Sequence, residues 1–535
     1  MKKTTYLFLI LIILLACFFR FYNLTNKGIF LTDEGNYLQE TQFVVSGAQS
    51  IFNKEDLQKT RIQTKGIALR HSKPTHTLLI SALALWEGKV NEYVAFINSA
   101  IFGVLTVILL FLIAKNIFNK EIALLSALIL ALSQYHVMYS REGLAEVDSV
   151  FFFLFSFFFY LKSCKDDTKY KLLFLAISGL LAGIAYTCNY RLFLIPVFLW
   201  IYEIVYFFKK PPLLYRDLIN RILILNLCMV LPILLFEVPY HLALLVFRRN
   251  NGVLPFLTYF EQLFEHLFFY GSKSNLNFND ILTYPYLIWH LEGPIITLLL
   301  IIGLIFLFIK MNLHKFYILL QFLLPFIFFS LFEENNARHL AISLPAMALT
   351  SGYGLYHLNQ NLKKNIDKII ILLILGIGIY NCSHLLYLKS GFNEAYQFLK
   401  DKKHLSTHWW VSTFYVDHKL VADFRKVKTK EELRRFYHQG YDYLLVDIMK
   451  YFSHPWPNWL GEKSQLLVDI ETKCQPLYTT FDNRGTHLQV WFEHNISFKK
   501  TKEYFNNVPW KEKNYIKIYD LKEYFSGEKV DQDKR

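Results

Sequence analysis

The sequence predicts a membrane all-α protein of about eleven transmembrane helices, with interfacial helices in a long first outer loop and a small C-terminal α/β extracytoplasmic domain. Three observations predict it. Apolar runs of about twenty residues recur through most of the chain. The 535 residues are 54% hydrophobic and 17% aromatic, with 50 phenylalanines, and the mean hydropathy is +0.26, which is the composition of a polytopic membrane protein. From about residue 390 onward the long apolar runs stop, and short segments of helical and alternating pattern take over.

The formal charge of +14 does not indicate nucleic acid. The lysines and arginines are scattered between apolar runs, and there is no RNA-binding signature or basic helix. Cys17, Cys164, Cys188, Cys228, Cys382 and Cys474 are isolated, and all but the last lie in or beside apolar segments. That distribution argues against a disulfide framework and against a zinc-thiolate site. No internal repeat or low-complexity tract is evident.

Met1-Lys2-Lys3 followed by Tyr6–Phe21 has the outline of a signal peptide, and Leu14-Leu15-Ala16-Cys17 faintly resembles a lipoprotein cleavage box. The run continues through Phe18-Phe19, and many further spans follow, so an uncleaved first helix with a cytoplasmic N-terminus is the expectation. Residues ~23–91 then lie outside, a loop too long to be a simple connector. Within it Glu34–Gly47 and Thr75–Trp86 read as interfacial helices joined by a polar segment rich in Lys and Gln.

Spans follow at roughly 92–114, 121–138, 147–162, 171–188, 190–208, 219–239, 291–310, 314–332, 339–358 and 367–388. Alternating them from an inside N-terminus puts Lys115/Lys120, Lys162/Lys165, Lys209/Lys210, Lys310/Lys315 and Lys363/Lys364 in inside loops. The short outside loops carry Arg141 with Glu142, then Arg191, then Glu333/Glu334 with Arg338. The positive-inside rule is met at every short loop. Residues ~241–290 form a second long outside segment with re-entrant or interfacial pieces. In the C-terminal part, 391–535, Asn393–Lys403 and Thr429–Gln439 read as amphipathic helices. His408–Val416, Lys419–Phe424, Tyr441–Asp447 and His487–Phe492 read as strands, and the last ~15 residues as a loose polar tail.

Four clusters carry candidate chemistry. In Leu31-Thr32-Asp33-Glu34-Gly35-Asn36-Tyr37, two adjacent carboxylates follow the first span. Such a carboxylate takes a proton from a nucleophile or holds a divalent cation, unless the pair is merely solvated beyond a helix end. Tyr139–Asp148 places Glu142, Glu146 and Ser149 on one helical face, with Arg141 and Asp148 beside each other on an adjacent one. Helix capping is the competing reading there. In His71-Ser72-Lys73-Pro74-Thr75-His76, Lys73 precedes an interfacial helix and suits a phosphate, while the two histidines lack the fixed spacing of metal ligands. Arg338 and His339 open a fourth segment at an outer helix start, where Arg338 either clamps a phosphate or anchors the interface.

Together these segments resemble the polyprenyl-phosphate-sugar-dependent glycosyltransferases of the GT-C superfamily, in particular the bacterial lipid A aminoarabinose transferases and the protein O-mannosyltransferases. The matching motifs are D-E-G-x-Y from Asp33 to Tyr37, a K-P-P-L-like segment at Lys73-Pro74-Thr75-His76, Y-S-R-x-G-L-x-(D/E) from Tyr139 to Glu146 with Asp148 just beyond, and R-(Y/H)-L-x-x-x-x-P at Arg338, His339, Leu340 and Pro345. Thr75-His76 stands where the family often has Pro-Leu, and the likeness spans roughly residues 1–390. The resemblance implies a GT-C-like transmembrane catalytic domain in that region. It further implies inverting transfer of a sugar from a polyprenyl-phosphate carrier to a lipid, glycan or protein acceptor at the outer face of a bacterial inner membrane. By the same resemblance Asp33 is the base or its organiser. Glu34 and Asp148 are supporting acids, with a divalent metal at Asp33 and Glu34 left open. Lys73, Arg338 and Arg141 hold the donor phosphate, and Tyr37, Glu142, Glu146 and His339 support the site. A transporter with rim carboxylates is the main alternative, but transporters place their charges near the midplane of inverted repeats. A membrane anchor with a partner-binding outer domain leaves the shared sidedness of the four clusters unexplained.

Overall fold

Helices dominate because the apolar runs have no other way to satisfy their backbone groups in a lipid solvent. The computed structural model describes residues 2–52, 73–165, 170–209, 215–251, 281–309, 311–331, 337–361, 366–447, 449, 464–488, 490, 498–507 and 515–526. The polar segment after the second helix, with His71 and Ser72, lies outside them, as do most of the second long loop and Glu333/Glu334. The chain divides into two compact units, one of Met1–Leu24 and Glu40–Leu386, the other of Thr25–Gln39 and Tyr387–Arg535.

Among the described residues the first unit is built of helices, with no strand. Its elements are α1 (Lys2–Phe21), the later part of α2 (Thr32–Phe52), α3 (Pro74–Glu87), α4 (Glu92–Ile117), α5 (Lys120–Ala131), α6 (Gln134–Tyr139) and α7 (Glu146–Ser163). Then come α8 (Lys171–Cys188), α9 (Ile195–Lys209), α10 (Tyr215–Asn251), α11 (Thr283–Phe308), α12 (Leu313–Ser330), α13 (Leu344–Asn361) and α14 (Ile366–Leu386). Among the described residues, 8 helices are long and apolar enough to cross a membrane by length and composition. The other three expected spans also form helices but miss that mark. The segment expected as one span at 121–138 breaks into α5 and α6, because the Ser133 side chain caps α6 by accepting from His136 N. The Glu292 carboxylate fixes the break, accepting from Ser133 Oγ at 2.6 Å and from Tyr135 N at 3.2 Å. Helix α7 carries Glu146, Asp148 and Lys162, and α13 is preceded by a 3-10 turn at Ala337–Ser343.

Small residues bring these helices together, as they must where lipid is as apolar as leucine. On α8, Gly179 and Gly183 lie one turn apart, and a Cβ on either would overlap the carbonyl oxygens of Leu225 and Met229 on α10. The phenylalanine-rich α7 packs Phe157 and Tyr160 against Tyr202 and Tyr317. Arg221 makes a bidentate pair with buried Glu203, at 2.8 and 2.7 Å.

Among the described residues the second unit is built on a five-stranded mixed sheet of β1 (His404–Ser406), β2 (Val421–Asp423), β3 (Tyr443–Asp447), β4 (Tyr478–Phe481) and β5 (Tyr515–Asp520), in the order β2-β1-β3-β5-β4. Strand β1 runs parallel to β2 and β3, and β5 runs antiparallel to β3 and β4. Leu405, Leu444, Leu445, Val446, Ile516 and Ile518 are fully buried. The flanking helices are α15 (Phe392–Leu399), α16 (Trp409–Tyr415), α17 (Lys430–His438), α18 (Gln465–Lys473), α19 (Phe498–Asn507) and α20 (Leu521–Ser526).

Several local expectations are corrected. His408–Val416 is not a strand: α16 forms there, with Ser412 Oγ donating to His408 O at 2.9 Å and to Ser406 Oγ at 2.7 Å. Seven aromatic and β-branched residues have the composition of a strand, but tertiary hydrogen bonding decides. Only 421–423 of the expected strand at Lys419–Phe424 pairs, and Arg484–Thr486 forms a 3-10 turn leading into 487–488, which are not strand. Residues 491 and 492 lie outside the described residues. The tail is not uniformly loose, since α20 buries Leu521 and Tyr524. By contrast α17 begins as its sequence dictates, on a capping box of Thr429 and Glu432.

Candidate functional site

In the first unit the motif residues converge at the N-terminus of α7. Pro74 occupies the first turn of α3, where a missing N–H costs nothing, and Lys73 precedes it. Lys73 is only 2% exposed, and its Nζ lies 3.8 Å from Glu146 Oε1. The same oxygen accepts from Asn189 Nδ2 at 3.3 Å and from Arg191 Nη1 at 3.3 Å. One carboxylate therefore anchors two cations, and its place in the first turn of α7 lets the helix dipole favour its charge.

One turn along α3, His76 Nδ1 lies 2.8 Å from Asp148 Oδ2, and its Nε2 lies 3.2 Å from Gly143 O. Both ring nitrogens are thereby engaged, which fixes the orientation of the ring. Asp148 is fully buried and also accepts from Ser149 N at 2.9 Å and from Asn98 Nδ2 at 3.5 Å. Thr77 Oγ1 donates to Glu40 Oε2 at 3.0 Å. A buried set of this kind is rigid, because each charge has lost water and is held by fixed partners.

Not every motif residue joins this set. Helix α7 begins only at Glu146, so Arg141 does not share a helical face with Asp148. Its Nη1 donates instead to Phe19 O at 3.0 Å and to Tyr22 O at 2.9 Å, satisfying carbonyls at the C-terminus of α1. Glu142 is fully buried in the turn between α6 and α7. Arg338 is half-buried in the 3-10 turn Ala337–Ser343, which packs on α7 and α12. Beside it His339 stacks on Phe329, with ring centroids 4.9 Å apart, and Tyr135 Oη donates to Ala337 O.

Asp33 and Glu34 belong to the second unit, in the first turn of α2. Glu34 is fully buried. Its Oε2 accepts from Phe30 N at 2.5 Å and Leu31 N at 2.8 Å, and its Oε1 pairs with Lys27 Nζ at 3.4 Å. Lys27 Nζ also sits 3.7 Å over the Phe30 ring. Glu34 thus builds the turn that presents half-buried Asp33, and Tyr37 is buried one turn on. The pair does not fit a divalent metal, since both Glu34 oxygens are committed to N–H groups and an ammonium. Among the described residues no three of His, Cys, Asp and Glu are grouped to hold one.

The structure adds residues that sequence reasoning missed. His76, weighed in the sequence only as a metal ligand, shares a face with Lys73 at i+3 and pairs with Asp148 instead. Arg191 and Asn189 read only as a short loop. In the second unit, Arg484 forks onto Asp482 (Nη2–Oδ2 2.6 Å, Nε–Oδ2 2.9 Å) and reaches Asp447 Oδ1 at 2.7 Å. His408 Nδ1 meets Asp447 Oδ2 at 2.7 Å. Burial works against the charge on Arg484, but Asp447 and Asp482 outweigh it and hold its pKa above the ordinary arginine value. These four residues are more than seventy positions apart at the extremes, and no local pattern links them.

The sequence-family profile of dolichyl-phosphate-mannose-protein mannosyltransferases matches residues 71–236. That stretch contains Lys73, His76, Glu146, Asp148 and Arg191. No curated protein matches the chain by overall sequence. Among solved structures, the oligosaccharyltransferase AglB of Archaeoglobus fulgidus, in complex with an inhibitory peptide and a dolichol-phosphate, is similar with a TM-score of 0.57 at 12% identity, over 88% of this chain and 72% of that one. ArnT of Cupriavidus metallidurans is similar in its apo state with a TM-score of 0.55 at 12% identity, over 84% of this chain and 94% of that one. ArnT bound to undecaprenyl phosphate gives a TM-score of 0.51 at 15% identity, over 77% of this chain and 70% of that one. The chain has the fold of these proteins and, with its apolar helices, is an integral membrane protein.

Proposed function

We propose that this chain is a membrane glycosyltransferase that moves a sugar from a polyprenyl-phosphate carrier to a lipid, glycan or protein acceptor. The observation that carries the reading is the buried cluster of Lys73, Arg191, Glu146, His76 and Asp148, which falls within the stretch matched by the mannosyltransferase profile. The lysines of alternate loops support a reaction at the outer face of a bacterial inner membrane.

In this reading the bond between the sugar's anomeric carbon and the carrier phosphate oxygen breaks, and its electron pair stays on the phosphate. The acceptor's oxygen or nitrogen forms the new bond from the opposite face, inverting the centre, and its proton passes to the Asp33 carboxylate. Lys73 and Arg338 neutralise the phosphate as its charge develops. Glu146 keeps Lys73 and Arg191 in place, Asp148 keeps His76 in place, and Glu34 orders the Asp33 turn. Arg141 ties the α6–α7 turn to the end of α1 and acts on the phosphate only through that turn.

The test is a donor panel. Purified protein in detergent is mixed with polyprenyl-phosphate sugars and a membrane extract as acceptor source, and free polyprenyl phosphate is measured together with sugar incorporated into lipid, glycan or protein. Carrier release matched by sugar transfer is the expected result. Binding of donors with no release from any of them overturns the reading.

A further inference from the structure

The second unit offers an account of what the C-terminal domain does. The residues around Asp33, from Thr25 to Gln39, fold with that domain, and they are pinned at successive points. Ser390 N donates to Lys27 O at 2.7 Å. Arg484 Nη1 donates to Phe30 O at 3.1 Å. His408 Nε2 lies 3.0 Å from Thr32 Oγ1. Gln39 Nε2 donates to Trp410 O at 2.7 Å and to Thr413 Oγ1 at 2.6 Å. Between the last two, Gly35 passes so close to α16 that a Cβ there would lie 3.0 Å from Trp410 O and 3.2 Å from Val411 Cα.

Two of these pins share one buried anion. Asp447 holds His408 through Oδ2 and Arg484 through Oδ1, and its backbone N–H donates to Thr407 Oγ1 at 2.9 Å. The His408 ring thus bridges the two, with Nδ1 against Asp447 and Nε2 against the Thr32 hydroxyl. Asp447 lies at the end of β3, a strand buried from Leu444 onward and paired on both edges. The pins therefore refer Phe30 and Thr32 to a central, buried strand of the sheet, and Asp33 follows Thr32 directly.

We infer that His408, Arg484 and Asp447 are positioning residues for Asp33, and that the C-terminal domain orders the turn that presents the proton acceptor. The inference rests on the transferase reading for its catalytic consequence and on the hydrogen bonds above for its structural one. A base displaced by a fraction of an ångström still binds its surroundings but loses rate, so the effect falls on kcat. Thr32→Val removes the hydroxyl and is expected to lower kcat for carrier release about tenfold with donor KM within about twofold, while Thr32→Ser restores kcat. His408→Gln combined with Thr32→Val is expected to be no worse than the poorer single variant, since both break one bond.

Amide hydrogen exchange supplies a readout that needs no substrate. In Thr32→Val and His408→Gln, exchange over residues 27–39 is expected to quicken about tenfold, with β3 and β5 unchanged. Unchanged exchange in both variants, or a wild-type kcat in Thr32→Val, overturns the inference. If the wild type releases no carrier while exchange still responds as expected, the transferase reading fails and the ordering of the turn stands.

Discussion

Replacing Arg484 by methionine keeps the volume of a long side chain and removes one buried charge. Arg484 is fully buried and bridges two fully buried carboxylates, Asp482 at 2.6 Å and Asp447 at 2.7 Å, besides its bond to Phe30 O at 3.1 Å. Removing one partner of such a set costs more than the pair contributes, because the carboxylates stay behind without water. The expected loss is about 3–5 kcal/mol for the C-terminal domain. With a urea dependence of about 2 kcal/mol/M, the unfolding midpoint falls by roughly 2 M. The assay is urea unfolding in detergent followed by tryptophan fluorescence, to which Trp409 and Trp410 contribute beside His408. Arg484→Lys keeps the charge but loses the fork, and recovers part of the loss. A midpoint within about 0.5 M of wild type for Arg484→Met refutes the reasoning that this buried ion network holds the domain together.

Three further outcomes follow from the same geometry. Lys73→Met removes a cation held against Glu146 and is expected to raise donor KM or lower transfer at least tenfold, measured as carrier release against donor concentration. Burial pushes the His404 ring down to about 4, its bond to Lys402 O opposing this only in part. The unfolded chain, titrating near about 6.5, then takes up the proton first. Stability of the C-terminal domain is therefore lost as pH falls from about 6.5 to 4, by up to about 3 kcal/mol, and His404→Leu flattens this window in urea midpoints measured against pH. Gly183→Val forces α8 away from the Met229 carbonyl on α10 and is expected to lower the melting temperature of the membrane unit by overpacking worth about 1–3 kcal/mol.

The membrane part of the fold was legible because lipid makes hydropathy a direct record of structure. The run at Glu92–Ile117 and the capped helix at Lys430–His438 each carry their own boundaries. The break at Ser133 was hidden because half of its cause is Glu292, a residue on α11. The strands β1, β4 and β5 were missed because three to six residues give too short a period, and β5 draws its identity from pairing with β3 and β4. Within the site, Lys73, Glu146 and Asp148 were visible as charges at helix starts. Arg141 was misplaced because its helical neighbourhood was assumed, and the helix begins five residues later. Arg191, Asp447, His408 and Arg484 acquire meaning only from distances across the fold.

In the proposed reaction Asp33 takes the acceptor's proton in a transfer from a polyprenyl-phosphate sugar. Its most direct test compares wild type and Asp33→Asn for carrier release, with donor binding measured on both proteins. The expected result is release by the wild type, a loss of about 100-fold or more in the variant, and donor affinity unchanged. Full activity in Asp33→Asn would contradict it.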